Sequence, residues 1–198
     1  MIELTDKVKK RFDIQLKKIY VGHAQMKKVR PVLNQVHYTA DGHVQITNSH
    51  VGVRLAKVHD EPDSDGAFPE MHPLFRIPDE GISVELNEVV LKELENQANV
   101  LFKNKIGHIK LQMSKETILM TSKPLNDSNF IESGLKVNLD LEKEIDIGLN
   151  PRYLHDALNM FRMMDATPVT LYYVNELRPI HLVHENLHYL ITPIRTSR

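Results

Sequence analysis

The sequence predicts an α+β protein with helices packed on one face of antiparallel β-sheets. Three observations carry this. From Asn150 onward, a helical stripe is followed by three short β-like runs. The same strand–helix–strands order precedes it from Ile82, so residues 82–198 read as an internal pseudo-repeat. Apolar content of 41% and charged content of 26% are those of an ordinary globular chain.

Taken in order, Leu4, Val8, Phe12, Leu16 and Ile19 recur at three- and four-residue spacing, one apolar face of a helix with Lys and Arg around it. Gly22 marks a stop or bend. Val32–Tyr38 alternates as a strand, Asp41-Gly42 is a hairpin turn, and Val44–Thr47 is the answering strand. Val51–Val58 reads as a third strand, with Val51, Val53 and Leu55 on one face. Residues 60–80 are rich in Pro, Asp, Ser and Gly and read as a linker. Ile82–Leu86 is a short strand. Asn87 then caps a helix carrying Val90, Leu91, Leu94, Ala98 and Leu101. Ile109–Met113 and Thr117–Thr121 form a hairpin, and Leu135–Leu139 and Ile145–Leu149 alternate as two more strands. Asn150 is an N-cap, and Pro151 suits the first helical position, where its missing N–H would be unpaired anyway. Leu154, Ala157, Leu158, Phe161 and Met164 make that helix's stripe, and Pro168 ends it. Val169–Val174, Pro179–Val183 and Leu187–Ile194 follow as a meander, with turns at Asn175-Glu176 and Glu185-Asn186.

Composition narrows the function. No apolar run is long enough for a transmembrane helix. The charged N-terminus has no signal-peptide core, so the expected location is the cytoplasm, with no membrane partner. The absence of Cys excludes disulfides and thiolate chemistry. Net charge is −1 but unevenly spread: residues 1–30 hold nine Lys/Arg against Glu3, Asp6 and Asp13, whereas residues 60–96 hold eleven Asp/Glu against Arg76 and Lys92. The basic segment offers one face to phosphates, or is simply the solvated side of an amphipathic helix. No glycine-rich phosphate loop and no nucleophile elbow is present, so no catalysis and no cofactor is expected. Among eleven histidines, His181, His184 and His188 are the closest group. On a strand–turn–strand His181 and His184 point to opposite faces, and no carboxylate stands at ligand spacing, so no metal is expected.

Several segments carry a family resemblance. Asn150-Pro151-Arg152-Tyr153-Leu154-His155-Asp156-Ala157-Leu158 and the chain-ending Thr192-Pro193-Ile194-Arg195 resemble the helix opener and last strand of the bacterial DNA polymerase III β sliding clamp. Arg30-Pro31-Val32-Leu33-Asn34-Gln35-Val36 resembles that family's Arg-Pro-x-Leu-x-x-Val segment. Ile46-Thr47-Asn48-Ser49-His50-Val51-Gly52-Val53-Arg54-Leu55 resembles its Ala-Thr-Asp strand end and the Arg-Leu that follows, with Asn48 in place of the usual Asp. Phe68-Pro69-Glu70-Met71-His72-Pro73-Leu74-Phe75 resembles the Phe-Pro connector before the last domain, departing at Met71 and Pro73. The resemblance runs from Arg30 to Arg195, about one and a half family domains. It implies a DNA-clamp-like fold with an N-terminal helix and partial module over 1–66, a linker over 67–81 and a complete last domain over 82–198.

The same resemblance implies two sites and no enzymatic activity. One is a pocket for a short linear motif of a DNA polymerase or another replication or repair protein. Its residues are Thr47, His50, Arg54 and Leu55; Pro69 and Leu74; and Leu190, Thr192, Pro193, Ile194 and Arg195. Leu55, Leu74, Pro193 and Ile194 would be the floor, and Arg54 and Arg195 would meet peptide backbone or an acidic residue. The other is a non-specific duplex-DNA surface using Lys27, Lys28, Arg30, Arg152 and Arg162 on phosphates. The implied role is a processivity or partner-recruiting factor working as a homo-oligomer. The alternative is a clamp-derived adaptor or decoy that binds clamp-motif peptides without encircling DNA.

Overall fold

The structure is a computed structural model that describes residues 2, 3, 5–21, 33, 36–56, 68–122 and 130–194. It is an α+β fold with the helices gathered against antiparallel sheets. Helix α1 spans Asp6–Val21. Strands β1 (His37–Tyr38), β2 (Val44–Thr47) and β3 (Val51–Leu55) follow. A 3-10 turn at His72–Phe75 leads to β4 (Ile82–Leu86) and helix α2 (Glu88–Lys103). Then come β5 (Ile109–Met113), β6 (Thr117–Ser122), β7 (Glu132–Lys136) and β8 (Ile145–Leu149). Helix α3 (Pro151–Met163) precedes β9 (Val169–Tyr173), β10 (Ile180–His184) and β11 (Leu187–Ile191).

The caps are those the sequence predicts. Asn87 Oδ1 accepts from Val90 N at 3.0 Å, and Asn150 Oδ1 accepts from Arg152 N at 2.9 Å. Each side chain satisfies a backbone donor that the first helical turn leaves unpaired. One strand is displaced. The predicted Leu135–Leu139 strand lies at Glu132–Lys136, because its register is set by pairing Thr117 with Lys136 and Thr121 with Glu132. Val137 N and Leu139 N bond instead to Glu116 O and Lys115 O in the β5–β6 turn.

The strands form two sheets, in the orders β1-β2-β3-β11-β10-β9-β4 and β7-β6-β5-β8. All pairs are antiparallel. The decisive join is β3 to β11, in register from Leu55–Leu187 to Val51–Ile191. It makes the N-terminal strands a continuation of the C-terminal sheet. Val51, Val53 and Leu55 on β3, with Leu187, Tyr189 and Ile191 on β11, face the main core beneath the helices. Gly52, Arg54, His188 and Leu190 alternate to the opposite face.

Helix α1 lies along α3. Phe12 and Ile19 of its predicted stripe are buried, and Val8 is half-buried. Lys18 Nζ donates to Asn159 Oδ1 at 2.9 Å, while Arg11 donates to Met163 O and pairs with Asp165 at 3.2 Å. Two of the basic residues of the first segment are thus spent on α3 and its end.

A candidate peptide groove on the outer sheet face

The groove begins with the β2–β3 turn. Asn48 Oδ1 accepts from His50 N and Val51 N, each at 2.9 Å, and Thr47 Oγ1 donates to Val51 O at 2.6 Å. Such a side-chain-stapled turn holds its backbone without help from neighbours. Asn48 also donates through Nδ2 to Ile19 O at 3.3 Å, a bond to α1 that an Asp in its place has no proton to make. The turn is fixed to the end of β11, where Thr192 N and Oγ1 both donate to His50 O at 2.9 Å.

The opposite wall is the connector of residues 68–76. Phe68 stacks on His37, with ring centroids 4.3 Å apart and planes 6° from parallel. Met71 and Phe75 are buried and, with Leu190 and partly buried Phe68, form a small apolar cluster of their own. Phe75 sits edge-on to His188 at 5.2 Å and beneath the Arg54 guanidinium at 4.8 Å. Gly52 makes room for this wall: a Cβ there would lie 2.8 Å from Met71 Cε and 3.4 Å from Phe75 Cζ.

Between turn and connector lies a cavity of about 220 Å³. It is lined by Leu33, Thr47, Ser49, His50, Val51 and Gly52, by Pro69, Glu70, Met71 and Leu74 of the connector, and by Pro179, Leu190 and Thr192. A dry cavity of about 150 Å³ holds a benzene-sized group, so this one suits an aromatic or a pair of aliphatic side chains. Leu74 is 54% exposed at the rim. An apolar side chain held that far in water is available to a ligand.

The structure therefore brings together Thr47, His50, Pro69, Leu74, Leu190 and Thr192 of the pocket residues expected from sequence. Arg54 lies beside the cavity, its Nη2 3.4 Å from Phe75 O, and burial lowers its pKa, with Asp41 opposing. Leu55 does not belong to the floor. It is fully buried on the core face, because strand alternation turns it away from Arg54. Pro193 and Ile194 also leave the groove: after Thr192 the chain crosses to the other sheet, where Ile194 N donates to Gly148 O of β8 at 2.8 Å. Arg195 lies outside the described residues. Leu33, Ser49, Val51, Gly52, Glu70, Met71 and Pro179 join the groove without a place in the expected set. A glycine inside a β run is a signal for close backbone approach, and it is the one sequence feature that points to Gly52.

Beneath the groove, His181 Nδ1 and His188 Nε2 are 3.0 Å apart on neighbouring strands. Burial lowers the His181 pKa to about 4. Burial, then the charges of His181 and Arg54, lower His188 to about 3. Both rings are neutral at pH 7, one nitrogen donating and the other accepting.

The expected DNA residues fall differently. Lys27, Lys28 and Arg30 lie outside the described residues. Arg162 holds buried Glu95 through Nε to Oε2 and through Nη2 to Oε1 at 3.2 Å. Asn159 Nδ2 donates to the same carboxylate at 2.7 Å. Burial works against ionisation of Glu95, but these bonds outweigh it and hold its carboxyl below the usual range. Arg152 donates to Lys18 O at 3.1 Å, lies 3.6 Å from Asp156 and covers the Phe102 ring at 5.6 Å. Both arginines have partners inside the protein, so neither stands out as a bare phosphate contact.

Comparison with known proteins agrees on the fold. The Helicobacter pylori β clamp bound to a DNA ligase peptide superimposes with a TM-score of 0.69 at 18% identity, over 93% of this chain and 64% of the clamp. The β subunit of Streptococcus pyogenes DNA polymerase gives 0.70 at 17% identity, over 96% and 64%. The Thermotoga maritima DNA polymerase III β subunit gives 0.69 at 14%, over 92% and 63%. The chain thus spans less than two thirds of the length of these clamps. No curated protein matches it by sequence. The family model for the C-terminal domain of the DNA polymerase III β subunit matches residues 77–195, more than half of the chain. This protein belongs to the DNA polymerase III β subunit family.

Proposed function

We propose that this protein is a non-catalytic, sliding-clamp-like recruiting factor whose outer groove takes a short linear peptide from replication or repair proteins. The observation that carries this reading is the convergence of three chain segments, around Thr47–Gly52, Pro69–Leu74 and Leu190–Thr192, on one apolar cavity with a polar rim. An apolar pocket with a few placed polar groups is what binds a peptide side chain while fixing its backbone direction. That the Helicobacter pylori clamp binds a DNA ligase peptide supports the choice of ligand class.

The test is fluorescence anisotropy with that DNA ligase peptide. Saturable binding is expected, weakened at least tenfold by Leu74→Asp, which puts a charge on an exposed apolar residue of the groove lining without touching the core. Absence of saturable binding, or unchanged affinity in L74D, would overturn the reading.

In its fuller form the function is that of an oligomeric ring tethering polymerase to duplex DNA. The second form is an adaptor that binds clamp-motif peptides without encircling DNA. The internal partners of Arg152 and Arg162 favour the second. Light scattering across a concentration series separates them. A closed oligomer retained on circular DNA in a salt-dependent way supports the ring. A monomer that binds peptide but not DNA supports the adaptor.

A further inference from the structure

We propose that Asp41, His43 and His72 form a binding site for a zinc-class divalent ion, which clasps the β1–β2 hairpin to the connector that walls the groove. One ligand atom from each residue lies within 4.8 Å of the others, and among the described residues this is the one such trio. His43 Nδ1 is 3.1 Å from Asp41 Oδ2. Zinc bonds nitrogen and oxygen at about 2.0–2.2 Å, so two ligand atoms on one tetrahedral ion end about 3.4 Å apart. The trio has to close by roughly an ångström. Asp41 and His72 are both exposed and have that freedom, while buried His43 is the anchor.

The hairpin holds the anchor His43 and orients Asp41 toward it. Thr39 N donates to His43 O, His43 N donates to Thr39 Oγ1, and Gly42 N donates to Thr39 O, each at 2.9 Å. Gly42 supplies the positive φ of 81° that the turn requires. Thr39 Oγ1 also donates to Asp41 Oδ1, orienting the carboxylate as outer partners orient metal ligands. The third ligand comes from a distant segment: His72 opens the 3-10 turn, with Pro73 fixing the backbone after it.

The donor set selects the ion. Two imidazoles and one carboxylate suit Zn(II), Co(II), Ni(II) or Cu(II), whereas Ca(II) and Mg(II) prefer an all-oxygen shell. Three protein ligands leave a fourth position for water. The consequence is mechanical. His72 stands between Met71 and Leu74, both of which line the groove, so an ion on His72 fixes that wall against the hairpin.

The experiment is titration of chelator-treated full-length protein with Zn(II) by calorimetry, and with Co(II) by visible absorption, in the absence of peptide. One-to-one binding is expected, with Co(II) d–d bands and a rise of a few degrees in Tm with Zn(II). Asp41→Asn and His72→Ala, both at exposed positions, should each weaken Zn(II) at least tenfold and remove the Co(II) bands. No saturable one-to-one binding would overturn the site, as would affinity unchanged in both variants, which would place the ion on other histidines. Because no peptide is present, the result stands apart from the groove's own test.

Discussion

The two faces of the seven-stranded sheet use polar residues in opposite ways. On the helix side, Glu95, Asn159 and Arg162 close on one another across α2 and α3, and Arg152 caps Phe102 and Asp156. On the outer side, Thr47, Asn48 and Thr192 secure a turn whose edges border an apolar cavity. Charges that must be buried need partners in place, because an unpaired one costs several kcal/mol. Polar groups at a rim remain in reach of water, so they can serve a ligand as well. The difference teaches that the basic residues most visible on α3 serve packing, while the less charged sheet face has the shape of a binding site.

The sharpest way to break the comparison is Glu95→Ala. It strands Asn159 and the inner side of Arg162, and a loss of about 2–3 kcal/mol is expected in urea unfolding. Peptide affinity should be unchanged in the fraction that stays folded. Stability close to wild type would mean that the helix network is not the structural element it resembles.

Next comes pH. His181 and His188 are held neutral by burial, with folded pKa values of about 4 and about 3 against about 6.5 in the unfolded chain. Their depressed pKa values mean that the unfolded state takes up protons first as pH falls. Stability is therefore intact above about pH 6.5 and is lost progressively as pH drops, through about 4 for His181 and toward about 3 for His188. Thermal melts should lose several degrees between pH 7.5 and 5. His188→Gln should flatten this slope relative to wild type, even if it lowers the melting temperature at neutral pH. An equal slope in the variant would remove the pair from the account.

On the groove itself, Gly52→Val places a branched side chain where Met71 and Phe75 now pack. At least a tenfold loss of peptide affinity is expected by anisotropy, with a stability loss of about 1–3 kcal/mol, as Met71 and Phe75 must give way. The smallest effect is Arg152→Ala. Its partners are the Lys18 carbonyl, the buried Asp156 carboxylate and one ring face; Asp156 keeps His155 Nδ1 at 3.2 Å, so about 1 kcal/mol is expected rather than the cost of an unpaired buried charge. Retention on circular DNA that falls sharply in this variant would instead assign Arg152 to phosphates.

Much of the architecture is legible in local chemistry. Asn87 and Asn150-Pro151 declare helix starts because their oxygens suit backbone donors that no helix can satisfy internally. Ile82–Leu86, Ile109–Met113 and Ile145–Leu149 have the observed bounds, since alternation and turn residues are read over short windows. The β7 strand slips because its hydropathy alternates on both sides of Lys136, and only pairing with β6 chooses the register. The family motif puts Leu55 in the pocket, although its own alternation with Val51 and Val53 already points it into the core. Nothing along the chain gives His181 and His188 a common role, yet the β10–β11 register sets their rings together.

The sequence by itself determined where the two capped helices and several of the strands begin, which of their residues face inward, and which family motifs the chain carries. Those properties depend on backbone donors, side-chain periodicity and turn residues within a few positions. Tertiary structure decided the rest. It joined β3 to β11, seated residues 68–75 against Gly52, paired Arg162 with Glu95 from 67 positions away, and brought His72 to Asp41 and His43. Such contacts form only when distant segments are packed together, and no local pattern records which of several equally apolar or equally charged partners will meet.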